Sequence, residues 1–145
     1  MRKFLIPALT LVMFAFPVVA ADGLDVFLKN VNVQARSDMD GFSVKVSAQF
    51  GVPESQVRVV LRKVNEPADA FMIFELGRMS KKSVEIVLQT YESRKGRGWG
   101  ALAKELGIKP GSAEFHALKR GDLYFGGERG ERPSSGKGKG KGKAG

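Results

Sequence analysis

The chain has 145 residues, with 24 Lys and Arg against 15 Asp and Glu for a net charge of +9, one His and no Cys. That inventory excludes disulfide staples and argues against covalently attached haem and a structural zinc site, so burial is expected to hold the fold. No metal-ligand spacing and no cofactor motif is present, so the expected sets of catalytic residues, metals and cofactors are all empty.

Residues 1–21 read as a secretory signal peptide. Arg2 and Lys3 form a positive start, residues 4–19 are apolar apart from Pro7, Thr10 and Pro17, and Val19, Ala20 and Ala21 offer small residues for cleavage. The apolar run of about 16 residues is shorter than the roughly 20 that a membrane span requires. No Cys marks the junction, which excludes a lipoprotein, and no second apolar run follows. The expectation is a mature protein beginning at Ala21 or Asp22, periplasmic or secreted, with no transmembrane span.

The remaining ~124 residues suit a single domain, large enough to bury a core without cross-links. Removing Arg2 and Lys3 leaves +7, and residues 127–145 carry +4 of it, so the body is only mildly basic. The division expected is a helical domain over residues 22–126 and a Gly/Lys-rich tail over 127–145.

Leu24, Phe27, Leu28 and Val31 follow the spacing of an amphipathic helix. Residues 37–41 form a turn cluster. Phe42, Val44, Val46, Ala48 and Phe50 alternate as in a strand, yet Phe42, Val46 and Phe50 also share one helical face. Gly51-Val52-Pro53 reads as a helix stop and a new start, which favours helix. The alternative is a small β-hairpin pairing this segment with residues 31–35, near the N-terminus.

Pro53 and Glu54 open a helix striped by Val57, Val60, Leu61 and Val64, with Pro53 at its first position. Pro67 opens the next. Ala70, Phe71, Met72, Ile73, Phe74 and Leu76 leave it almost no polar face, so residues 68–79 are predicted to be the central, buried helix. Ser83 caps another, striped by Val84, Val87, Leu88 and Tyr91.

Residues 95–119, KGRGWGALAKELGIKPGSAEFHALK, hold the only Trp and the only His. Leu102, Ala103 and Leu106 give a short helix ended by Gly107. Pro110-Gly111 turns the chain, Ser112 caps the next helix, Phe115 and Leu118 form its stripe, and Gly121 ends it.

The pattern GWGxxAKxLGIKPGSxEFHxLK in this stretch resembles the signature of a family of small exported bacterial hypothetical proteins. EPADAFM (residues 66–72) and AQFGVP (residues 48–53) resemble further parts of the same pattern, and the likeness covers roughly residues 42–122. It implies one exported helical domain. It transfers no activity, cofactor or site residue.

Lys95, Arg97 and Lys109, near glycine-rich backbone and the helix start at Ser112, form a candidate anion site. Trp99 is the candidate for stacking on a ligand ring; the competing reading is a structural turn with Trp99 packed in the core. Beyond residue 127 no aliphatic side chain occurs before Ala144, so the tail is expected to be disordered. Its Lys137, Lys139, Lys141 and Lys143 are candidate polyanion contacts, against a purely solubilising role.

Ser47, Gly51, Val57 and Val60 match helix–turn–helix spacing, as do Ala103 and Gly107 in its first half. That suggests nucleic-acid binding, but an exported protein is the wrong place for it, and the motif is also an economical way to pack helices. Glu114 and His116 lie two apart on one helix and do not face each other, so with Lys104 or Lys119 they form no evident acid–base pair.

The fold class expected is therefore mostly α: a compact helical bundle with helix–turn–helix-like pairs and a disordered cationic C-terminal tail. The function expected is a non-enzymatic envelope protein that binds or scaffolds an anionic envelope component or envelope protein. The alternatives are a small cell-wall hydrolase using the 95–119 surface and a nucleic-acid-binding protein.

Overall fold

The structure is a computed structural model that describes residues 22–130. The expected signal peptide and Lys137, Lys139, Lys141 and Lys143 lie outside the described residues. Among the described residues seven helices follow one another: α1 (Gly23–Ser37), α2 (Met39–Phe50), α3 (Glu54–Leu61), α4 (Pro67–Ser80), α5 (Val84–Ser93), α6 (Trp99–Glu105) and α7 (Ala113–Arg120). Two short strands, β1 (Tyr124–Phe125) and β2 (Glu128–Arg129), close the order. They pair antiparallel, with Tyr124 opposite Arg129 and Phe125 opposite Glu128.

The mostly helical expectation holds, and the caps explain where the helices fall. Asp38 alone separates α1 from α2, its carboxylate accepting the Gly41 N–H at 2.8 Å. The turn cluster thus shrinks to one residue. Gly51 ends α2 in the left-handed region at φ 65°. Pro53 precedes α3 as its cap rather than occupying its first turn. Ser83 and Ser112 accept the N–H groups of Ile86 and Phe115. Gly107 has φ 91°, and Gly121 ends α7 at φ 66°.

Residues 42–50 are helical, and the N-terminal hairpin alternative is not realised. Phe42 and Val46 are buried, whereas Val44 is 50% exposed. Burial recurs every four residues, not every two, so the helical face decides. The only strands among the described residues lie at the opposite end of the chain. There the ordered backbone runs past the expected boundary at Gly126, because Gly126 and Gly127 sit at φ 60° and 99°. Two consecutive positive φ values are the mark of a two-residue hairpin turn that follows strand twist. Phe125, 2% exposed, anchors the hairpin in the core, and the Gly130 N–H closes it by donating to the Leu123 carbonyl at 2.9 Å. The tail's composition concealed this, because main-chain pairing and one aromatic anchor hold the turn without an aliphatic stripe.

Helix α4 is the hub, touching α1, α2, α3 and α5. Its Ala70, Phe71, Met72, Ile73 and Leu76 are fully buried. The Phe71 ring lies 5.5 Å from Phe27, 5.7 Å from Phe50 and 5.6 Å from Phe125. One side chain thereby ties α4 to α1, α2 and the hairpin. The C-terminal end of α7 docks on the start of α1 through glycines: a Cβ added to Gly121 would sit 2.2 Å from the Gly23 carbonyl oxygen. Among the described residues no helix is long and apolar enough to cross a membrane.

Candidate functional site

The stretch singled out by sequence forms the wall of a groove of about 570 Å³ between α6 and α7. Arg97, Lys104 and Lys119 line it, with Gly98, Gly100 and Phe115. Of the expected anion set, only Arg97 reaches this groove. Lys95 and Lys109 are exposed elsewhere, and Ser112 is committed to its cap: its hydroxyl donates to the Lys109 carbonyl at 2.7 Å and accepts from the Phe115 N–H. The Gly107–Gly111 turn carries Lys109 and Ser112 away, while helical spacing brings Lys104 and Lys119 in beside Arg97.

Charge in the groove is lopsided. Its acid, Glu105, is held by Arg94 through Nε at 3.1 Å and Nη2 at 2.9 Å. Lys104 Nζ lies 5.8 Å from the centre of the Phe115 ring. Lys119 Nζ stands 3.6 Å from an Asp22 carboxylate oxygen, with both side chains about half exposed. An exposed pair of that kind contributes little and leaves the ammonium available to another anion.

Trp99 is half-buried and stacks on Tyr91, with ring centres 5.6 Å apart and planes 17° apart. One face of the indole is thus already covered by the protein. Tyr91 donates its hydroxyl to Asp69 Oδ2 at 3.0 Å, and the same oxygen accepts the Glu66 N–H at 3.1 Å. Burial raises the Asp69 carboxyl above its ordinary value, with the hydrogen bonds from Tyr91 and the backbone opposing it. Burial likewise raises Tyr91, reinforced by the Asp69 charge. This network fastens the start of α4 to α5 and seats the indole.

A second and larger groove, about 950 Å³, opens between α2, α4, α7 and the hairpin. No sequence motif points to it, because its lining is drawn from Lys45 through Gly127. Its floor holds Glu75, whose side chain is only 4% exposed, on the central helix α4. Arg78, one turn on, grips that carboxylate through Nε at 3.2 Å and Nη2 at 2.5 Å. The Arg78 guanidinium is raised above its ordinary value, first by this hydrogen bonding and with a further contribution from Glu114. Gln49 braces the rim: its amide donates to the Tyr124 carbonyl at 2.7 Å, and its oxygen accepts the Gly126 N–H at 3.4 Å.

Glu114 lines the larger groove and Lys104 the smaller. His116 is exposed on the helix between them. The residues that an acid–base reading needs in one cleft are therefore not gathered there. Among the described residues no cluster of His, Asp and Glu could hold a metal ion. No family model matches the chain, and no curated protein or solved structure matches it.

Proposed function

We propose that this is an exported, non-enzymatic binding protein of the bacterial envelope whose ligand is an anionic envelope component. The carrying observation is the α6–α7 groove, where Arg97, Lys104 and Lys119 converge and the acid is already neutralised by Arg94. Three cations beside glycine backbone attract phosphate or carboxylate groups. The reading of residues 1–21 as a signal peptide and the likeness to small exported proteins support placing it outside the cytoplasm. In this proposal the lysines at 137, 139, 141 and 143 add a second, less selective electrostatic contact.

The test is co-sedimentation of mature protein with vesicles containing anionic lipid, across a salt series. Arg97→Gln, Lys104→Gln and Lys119→Gln are combined in one variant and compared with a chain ending at Gly130. Loss of binding in the triple variant supports the groove. Undiminished binding in the triple variant, abolished only by the truncation, assigns the interaction to the tail instead.

A further inference from the structure

We infer that the groove between α2, α4, α7 and the hairpin is a binding site for a neutral oligosaccharide. Its size, about 950 Å³, falls in the range of sites for small ligands. Its charges nearly cancel: Lys45 and Arg78 stand against Glu75, Glu114 and Asp122. The Glu75 charge is already matched by Arg78, and Asp122 is partnered within the fold. An anionic ligand would meet Glu114, and a cationic one would meet Lys45 and Arg78. A ligand whose groups each donate and accept, with no net charge, suits such a surface.

The side chains that remain have the required chemistry. Glu75 takes two donor positions of the Arg78 guanidinium, which leaves its other N–H groups for the groove. Burying a carboxylate among apolar side chains costs stability unless it is paired. Here the pair also fixes the plane of an arginine that is itself 60% exposed. Glu114 supplies acceptors and Lys45 donors. Tyr124 is 52% exposed at the rim of the same groove. An aromatic ring with one apolar face and a polar end suits the C–H face and the hydroxyls of a sugar. The small side chains of Ala48, Ala113 and Ala117 keep the trough wide, and Gln49 holds Tyr124 in place through the main chain of β1.

The experiment is a two-dimensional amide NMR titration of the mature protein with chitotriose and maltotriose, alongside decanoate and an uncharged extended peptide. The expected result is saturable shifts at millimolar ligand from at least one oligosaccharide, centred on Gln49, Glu114 and Tyr124. Tyr124→Ala, an exposed change that leaves the fold intact, is expected to weaken binding about tenfold. Glu114→Ala is expected to weaken it to a smaller extent, and Arg97→Gln, in the other groove, to leave it unchanged. Silence from both oligosaccharides overturns the proposal. So does saturation by decanoate or the peptide alone, or an affinity that Tyr124→Ala does not change. Failure here leaves the anion reading of the α6–α7 groove standing, since the two grooves share no lining residue.

Discussion

Phe71→Ala probes the centre of the fold. Removing a buried phenylalanine side chain costs about 3–5 kcal/mol through lost transfer energy and the cavity left behind. Phe71 belongs at the top of that range: it is fully buried and its ring meets three others, each such pair being worth about 0.5–1.5 kcal/mol beyond its area. Phe74 is 3% exposed and among the described residues its ring meets only that of Phe50, so Phe74→Ala should fall nearer about 3 kcal/mol. For a domain of this size the Phe71 loss corresponds to a fall in Tm of roughly 15–20 °C. Trp99, the only tryptophan and stacked on Tyr91, reports unfolding by fluorescence in a urea titration. The midpoint should fall with the slope unchanged. A Phe71→Ala loss below about 1.5 kcal/mol, or one smaller than that of Phe74→Ala, would refute the hub assignment.

Asp69→Asn should flatten the acid side of the stability profile. The folded-state carboxyl is raised above 3.8, so the folded state holds that proton more tightly than the unfolded state does. Its contribution is full below about pH 4 and is lost as pH rises through the folded value; urea midpoints measured against pH should lose this component in the variant, and an unchanged profile counts against the buried network. Gln49→Ala removes both contacts to the hairpin and should cost about 1 kcal/mol, with faster hydrogen exchange at the Gly126 and Gly130 amides; exchange as slow as in the parent would show that the hairpin holds itself. Gly121→Ala should cost clearly more than Gly51→Ala. Both positions have positive φ, but an added Cβ collides with the Gly23 backbone at the first and meets nothing within 4 Å at the second. Equal melting temperatures for the two variants would refute the close approach.

The helices were legible because their signals are local. Gly107, Ser112 and Gly121 mark ends and starts by backbone chemistry that acts within one turn. The central helix was legible because its run from Ala70 to Leu76 has almost no polar face. Even so, Glu75 within that run gave no warning that a carboxylate would be buried there, since its partner is identified by Arg78 geometry and not by hydropathy. Gly126-Gly127 between Phe125 and Glu128 is a hairpin signal, obscured because composition counts apolar side chains while a turn depends on φ. Of the three cations lining the basic groove, only Arg97 stood in the expected anion set; Lys104 and Lys119 come beside it only once α6 packs on α7. The larger groove had no local trace, because its walls come from four elements that meet only in three dimensions.

Both grooves depend on where α7 lies. Phe115 and Leu118 bury its core-facing stripe. On one flank Phe115 and Lys119 border the basic groove, and on the other Ala113, Glu114 and Ala117 border the mixed-charge one. A rotation of α7 would therefore move the two surfaces together. The helix end is held by close backbone approach beside the Lys119–Asp22 pair: Gly121 and Gly23 come too close for any Cβ, and Gly130 presses on the Gly121 carbonyl, its own Cβ position only 2.3 Å from that oxygen. Three glycines distant in sequence thus fasten the first helix, the last helix and the hairpin at one point. Close-packed backbone has little room to slide, so the lining of each groove would be set before a ligand arrived, and the binding proposed for each would carry less ordering cost.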